Sequence, residues 1–412
     1  MQGPVHSSDQ RLDSSVCTLC GLVCDSRLSL INHCTRRNRW LNSVSVNHRL
    51  VDRGEALEPL SDLVVDTETL IWLDACDVQT ARAAVTLAKQ TGATIHVGQS
   101  TGSHAVKSVM SNSGWFGTTL SEVAARAQLI VTLGDGVLTE SPLLAERFFR
   151  SRTQVSQPQW FHISAHESSV SAASESQIAP NGRLHWPYAT WFEQLSNLAR
   201  NIQQPVSQQP ELVTNEYTSS ELLARLSSAE HVVWIWDIDD LHFGTDELIV
   251  RRMLSIASSL SETGRCSLLP LDMNVGRVTA EETLLWLTGC PGTACWQGDR
   301  WYRSPRYSGY SLDQWSDAFS KILLVSNLPS DRSLPNLPAT VTLQSRPAVR
   351  QGEIQVASVG IECSGHLFRG DRGTVHFAQA TQPHNLPSAA QLLTLLPQRA
   401  RAAGTPEVTD AS

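Results

Sequence analysis

The stretch Thr69-Leu-Ile-Trp-Leu-Asp74, continued through Val78–Gln90 and Gly92 to Thr94-Ile-His-Val97, decides the fold. Thr69–Leu73 is apolar and stops at Asp74, the pattern of a short buried strand. From Val78 the spacing changes: Val78, Ala81, Val85 and Ala88 recur at helical period and form one apolar stripe. Gly92 supplies the left-handed stop that commonly closes a helix, and Thr94–Val97 starts the next strand. Strand, helix and strand in so short a span make a β-α-β unit, with parallel strands and a right-handed crossover.

The alternation continues after that unit. Leu120–Ala127 reads as a short helix, Leu129–Leu133 as a strand ending in Gly134-Asp135-Gly136, Pro142–Phe149 as a helix and Trp160–Ile163 as a strand. A helix at Tyr188–Asn201 stands between two Ser-, Gln- and Pro-rich stretches, 165–180 and 201–216, which read as surface loops. A second series starts with Val232–Trp236, an apolar strand ending in Asp237. Helix Glu247–Leu260, strand Cys266–Leu271, helix Ala280–Leu287 and strands Ile322–Ser326 and Thr340–Leu343 follow. The expected fold is α/β, with Rossmann-like parallel-sheet lobes and a small N-terminal cysteine-rich region. The expected segments are a disordered 1–15, a cysteine-rich 16–60, a first lobe over 61–200 and a second over 217–330. Residues 331–396 would complete the second lobe, and 397–412 would form a frayed polar tail.

The totals exclude several classes of function. The chain has 412 residues, 41% hydrophobic and 17% charged, enough for more than one buried core. A net charge of −8 argues against general nucleic-acid affinity, which needs a basic face to neutralise phosphates. No apolar run approaches the ~20 residues that span a bilayer. Met1–Ser15 is polar and lacks the apolar core of a secretion signal, so the expected location is the cytoplasm. There is no Gly-x-Ser-x-Gly, no His-Glu-x-x-His and no Walker loop.

Four of the nine cysteines crowd together. Cys17-Thr-Leu-Cys20-Gly-Leu-Val-Cys24 is followed by Cys34, a spacing that lets thiolates converge on one iron–sulfur cluster or one tetrahedral zinc. In a reducing compartment clustered cysteines favour metal over disulfide. The plainer alternative is a loop whose reduced cysteines bind nothing.

Three stretches carry a resemblance. The first is Cys17–Asp25 with Asn32-His33-Cys34 and Trp40. The second is Ser113-Gly-Trp-Phe-Gly-Thr-Thr-Leu120-Ser-Glu-Val-Ala-Ala-Arg126-Ala127 running into Leu129–Gly134. The third is Gly360-Ile-Glu362-Cys-Ser-Gly365-His-Leu-Phe-Arg369-Gly-Asp371. Together they resemble the B-type subunit of formylmethanofuran dehydrogenase, in the molybdopterin oxidoreductase superfamily. That family holds tungsten or molybdenum through a cysteine or selenocysteine. The corresponding region here, Gln99-Ser-Thr-Gly102-Ser-His104-Ala-Val-Lys107-Ser, has no cysteine, and serine or threonine does not replace a soft thiolate there. The resemblance therefore points to the bacterial branch, the formyltransferase/hydrolase complex. In that complex a formyl group passes from tetrahydromethanopterin to a methanofuran-type carrier and is released as formate. The chemistry lies in hydrolase-type and formyltransferase-type partner subunits, and the implied role here is a non-catalytic scaffold without metal-bound pterin. Two other readings stand beside it: a working tungsten or molybdenum dehydrogenase subunit, and a zinc-stapled binding protein.

Further candidates come with plainer alternatives. Ser103, His104 and Lys107 could line a vestigial anion pocket at a helix start, or an ordinary strand-to-helix loop. Arg36, Arg37 and Arg39 could hold the polyanionic tail of a methanofuran-type carrier, or form a solvated surface loop. Gly134-Asp135-Gly136 lacks the third glycine of a dinucleotide motif and reads as a strand-end turn. Asp237, Asp239 and Asp240 offer paired carboxylates, although capping of the turn after the strand is preferred. Trp234, Trp236, Trp286, Trp296 and Trp301 read as core or subunit-interface anchors.

Overall fold

The computed structural model describes residues 16–24, 34–38, 60, 63–98, 100–149, 157–167, 178–203, 219–242, 244–303, 318–329, 340–345 and 352–403. The elements begin with β1 (Thr69–Ala75), α1 (Val78–Thr91), β2 (Thr94–Val97), α2 (Thr101–Ser113), α3 (Leu120–Arg126), β3 (Leu129–Leu133), α4 (Gly136–Thr139), α5 (Leu144–Phe149) and β4 (Gln159–Ser164). Next come β5 (Gly182–His185), α6 (Trp191–Gln203), α7 (Ser219–Ser228), β6 (His231–Asp237), α8 (Asp246–Leu260), β7 (Arg265–Leu271), α9 (Val275–Thr288), β8 (Thr293–Gln297) and β9 (Arg300–Tyr302). The chain continues with β10 (Lys321–Ser326), β11 (Thr340–Gln344), β12 (Glu353–Gln355), β13 (Gly365–Phe368), β14 (Val375–Ala378) and α10 (Ala389–Ala403). No helix among the described residues is long and apolar enough to cross a membrane.

The opening unit forms as its residues require. Asp77 caps α1 by accepting from the backbone N–H groups of Gln79 and Thr80, both at 3.2 Å. Gly92 ends the helix at φ 76°, and β1 and β2 pair in parallel from Leu70↔Thr94 to Leu73↔Val97.

The described residues fall into two compact units, one drawn from Met1–Gln99 and Asn274–Ser412, the other from Ser100–Met273. The first holds a seven-stranded sheet in the order β12-β11-β10-β1-β2-β8-β9, with β8 and β9 antiparallel at one edge. Its core joins Ile71, Leu73, Val85 and Ile95 to Leu323 and Val325 and to Leu392 and Leu393 of α10. The hairpin β13-β14 packs with a separate small cluster around Val23, Val275 and Val359. The second unit holds a five-stranded sheet in the order β5-β4-β3-β6-β7, parallel throughout. Trp191, Trp234, Trp236 and Phe161 are among its fully buried side chains, and each fully buried aliphatic beside them contributes roughly 1.5–3 kcal/mol.

This partition corrects the expected lobes. The stretch 61–200 does not share one sheet: β1 and β2 belong with β10–β12, whereas β3, β4 and β5 pair with β6 and β7. Nor do 217–330 and 331–396 make one lobe, because β6 and β7 sit in one sheet and β10–β12 in the other. Strand patterns reveal which segments are strands, but the partner of a parallel strand lies beyond a crossover of any length. The C-terminal helix also runs on through Pro397 to Ala403, past the expected start of the tail. The stretch 1–15 lies outside the described residues, as do 404–412.

Candidate functional site

In the five-stranded sheet the chain leaves β3 toward β4 on one side and β6 toward β7 on the other. The carboxyl ends of β3 and β6 therefore flank a point where connections diverge, the usual ligand position in open α/β sheets. Two acidic turns meet there: Gly134-Asp135-Gly136 after β3, and Asp237–Asp240 after β6.

Asp135 is saturated. Its Oδ1 accepts from Ser164 Oγ at 2.8 Å and lies 3.3 Å from His162 Nε2. Its Oδ2 accepts from the backbone N–H groups of Ala165 (3.1 Å) and His166 (3.2 Å). His162 Nδ1 stands 3.0 Å from Thr132 Oγ1, so the tautomer protonated at Nε2 satisfies both ring nitrogens. Asp135 is thus a clasp between the ends of β3 and β4, with its lone pairs already engaged.

Asp240 is the second centre. The Gly136 N–H divides between its two oxygens, at 3.2 Å to Oδ1 and 3.1 Å to Oδ2, and Tyr188 donates its hydroxyl to Oδ1 at 3.3 Å. Burial pushes the Asp240 carboxyl up to about 7, and Asp135 and Asp239 push the same way, while the Gly136 and Tyr188 bonds pull down. Asp237, buried in the same turn, is held well above the ordinary carboxylate range by burial and then by Asp239 and Asp240. The Tyr188 hydroxyl is raised for the same reasons, burial first and the Asp240 charge second. Around Tyr188 stand His166, Trp191 and His242, with ring centroids at 5.5, 4.9 and 5.8 Å. Chemically, the arrangement is a buried carboxyl group that exchanges its proton near neutral pH while a phenol, which keeps its own proton, donates to it.

Read singly, both acidic stretches are strand-end turns, and Asp237 does cap the turn after β6, accepting from the Asp239 N–H at 3.0 Å. The structure brings them together because β3 and β6 are direct neighbours, in register from Leu129↔Val232 to Leu133↔Trp236. The available signal was the same punctuation twice: an apolar strand ending in a short acidic turn.

Ser103, His104 and Lys107 all lie on α2. Ser100 caps that helix, accepting from the Ser103 N–H at 3.2 Å, so one helix-start donor is already satisfied. Ser103 is fully buried, whereas His104 and Lys107 are half-buried. The His104 charge reaches Glu247 of α8, whose carboxyl is held low by its hydrogen bond from Arg251 first, with smaller help from Ser108 and His104. The start of α2 is tied to the β6 turn: Thr101 Oγ1 donates to the Leu241 carbonyl at 2.9 Å.

The cysteine loop is a built structure in the first unit. The Cys17 N–H donates to the Cys24 carbonyl at 2.8 Å and the Val23 N–H to the Cys20 carbonyl at 3.1 Å, with Val23 itself at φ 47°. One contact docks it on the Gly360–Asp371 stretch and another on the residue just before it: Gly370 N–H donates to Gly21 O at 2.7 Å, and Thr18 Oγ1 to Val359 O at 3.4 Å. Cys34 begins a helical turn over 35–38 that carries Arg36 and Arg37; Arg39 lies outside the described residues. Burial, then the neighbouring Cys20, pushes the Cys17 thiol up to about 12, with Cys34 adding to the rise. Among the described residues no three His, Cys, Asp or Glu side chains stand in a metal-ligating group.

The tryptophans divide. Trp234 and Trp236 are core, Trp296 and Trp301 pack edge-to-face across β8 and β9 at 5.3 Å, and Trp286 is 70% exposed while it covers Phe368 at 5.0 Å.

No protein-family model matches this chain, and no curated protein matches it in sequence. Among solved structures it is similar to a chain of the formyltransferase/hydrolase complex from Methylorubrum extorquens, determined with methylofuran. The TM-score is 0.64 at 20% sequence identity, over 87% of this chain and 99% of that one.

Proposed function

We propose that this chain serves as the B-type subunit of a formyltransferase/hydrolase-like complex in tetrahydromethanopterin-linked one-carbon metabolism. The observation that carries the proposal is the shared fold along 99% of a chain of such a complex. The cysteine-free stretch 98–108 supports a non-redox role, since it offers no thiolate for tungsten or molybdenum. In this reading the chain is a cytoplasmic scaffold. It would bind hydrolase-type and formyltransferase-type subunits and help form the path of a methanofuran-type carrier, with Arg36, Arg37 and Arg39 as contacts for the carrier's anionic tail.

Affinity purification of the tagged chain from its native source tests the proposal. The expected result is co-purification of transferase-type and hydrolase-type subunits, with formyl transfer to formate by the isolated complex. Stoichiometric tungsten or molybdenum in that complex would overturn the non-redox assignment. Isolation of the chain without either partner would overturn the assembly.

A further inference from the structure

The two faces of the β13-β14 hairpin are unlike. Residues opposite one another in an antiparallel pair share a face, so the register Phe368↔Val375 and His366↔Phe377 puts these four side chains on one side. The other side carries Leu367 and Ala378, both fully buried in the small cluster around Val23 and Val359. On the outer side Phe377 is 52% exposed, Val375 is 45% exposed and His366 is exposed, with the His366 and Phe377 rings 5.1 Å apart. Phe368 alone is covered there, because Trp286 of α9 stands edge-on against it. Trp286 is itself the most exposed large apolar side chain among the described residues. The mount is firm. The Phe368 N–H donates to Thr279 Oγ1 of α9 at 2.9 Å, and the buried Arg369 and Asp371 pair through two bonds of 2.7 and 2.6 Å. Arg372 then ties the hairpin turn to Glu281 (2.9 Å) and Glu282 (3.1 Å) of α9. An aromatic face held in this way loses little freedom when it is covered.

We infer that this face, centred on Trp286 and Phe377, docks a different polypeptide chain, one that offers an aliphatic recess to the Trp286 indole. Size decides against a second copy. At about 150–250 Å² for a whole aromatic side chain, the exposed parts of Trp286, Phe377, Val375 and His366 amount to roughly 400 Å². Two such faces set against each other would bury roughly 800 Å², well short of the ~1,200 Å² at which specific interfaces begin. Shape decides the same way. A two-fold contact must be self-complementary, and the place beneath Trp286 is already filled by Phe368, which is 3% exposed. Charge turns away an anionic lipid surface, since Arg372 is held by Glu281 and Glu282, and Arg369 by Asp371. What fits is a larger, uncharged surface of another chain that takes Trp286 as its central anchor. The identity of that chain, a transferase-type or hydrolase-type subunit, rests on the assembly proposed above; the surface rests on the hairpin.

The test uses the full tagged chain, purified from its native source as the native sequence, Trp286→Ala and Phe377→Lys. Leu248→Lys, at an exposed apolar residue of the other unit, is the control. The thermal midpoint of each shows whether it folds. Trp286→Ala and Phe377→Lys should each speed dissociation of the partner subunits from the immobilised chain on the order of 30-fold, and Leu248→Lys should leave it unchanged. Native dissociation rates in both folded variants, or equal release by Leu248→Lys, would overturn the docking surface and leave the assembly standing. Recovery of the native chain without partner subunits would remove both. A dimer of the native chain that Phe377→Lys dissolves would make a second copy the occupant and overturn the assignment. Binding of the native chain, but not of Phe377→Lys, to phosphatidylglycerol vesicles would overturn it in favour of lipid. Should Trp286→Ala fail to fold, Phe377→Lys decides alone, because its side chain stands on the exposed face.

Discussion

Gly102 lies so close to Ile238 that a Cβ at residue 102 would be 1.9 Å from the Ile238 carbonyl oxygen and 2.9 Å from Leu241 Cβ. The first turn of α2 is therefore seated directly on the backbone of the β6 turn. Gly102→Ala should destabilise the protein despite the helix preference of alanine. Overpacking here costs about 1–3 kcal/mol, against a gain of roughly 0.5–1 kcal/mol from replacing a helical glycine. Thermal unfolding checks this, and an unchanged or raised midpoint would show that α2 does not rest on Ile238.

Asp240 gives a pH dependence with a defined sign. Its carboxyl stands at about 7 in the fold against an ordinary 3.8. The folded state therefore binds the proton more tightly, and the resulting stability is full below pH ~4 and lost as pH rises through ~7. The change is roughly 4 kcal/mol at most. Asp240→Asn should flatten the stability profile between those limits and exceed the native protein above neutrality. Denaturation across the pH range measures it, and parallel profiles would refute the assignment.

Asp135 tests the opposite case, a carboxylate that the fold fully engages. Asp135→Ala removes the acceptor of two backbone N–H groups and the Ser164 hydroxyl, and of the His162 ring. Buried donors left without partners cost about 1–3 kcal/mol each, without simple additivity. A loss of several kcal/mol is expected, together with faster amide exchange at Ala165 and His166. Exchange at native rates in that variant would show that the clasp does not hold β4.

The cysteine loop separates structure from chemistry. Gly360 lies at φ 83°, with Thr18 Cγ2 only 2.8 Å from where its Cβ would be. Gly360→Ala should cost about 1–2 kcal/mol from the left-handed backbone alone, and should loosen residues 16–24 to proteolysis. In the complex proposed above, Cys17→Ser should leave formyl-transfer turnover essentially unchanged. A large loss of turnover in a folded Cys17→Ser complex would make the thiol functional.

Local structure was legible wherever punctuation and period agreed. Gly92 closes α1, and the apolar runs at 129–133, 232–236 and 266–271 are strands. Sheet membership was not legible, because nothing in Thr69–Leu73 signals Lys321–Val325 as its neighbour. The acidic cleft escaped for a related reason. Gly136 and Asp240 are 104 residues apart and meet only because β3 pairs with β6. Taken singly, each turn carried ordinary capping residues; only their juxtaposition makes a site.

The division of the chain between the two sheets also bears on the order in which it is made. Ser100–Met273 is continuous and complete once its last strand has emerged from the ribosome. The other unit has to wait. Its central strand β1 has no β10 to pair with until much later, and the Ser326 hydroxyl meets the Asp74 carboxylate across 252 residues of chain. Throughout that interval β1, α1 and β2 present apolar surface that β10, β11 and α10 will later cover. Such waiting segments fold slowly and invite aggregation. The inserted unit should thus be the early folder of nascent protein, and the N-terminal β-α-β unit its most chaperone-dependent part.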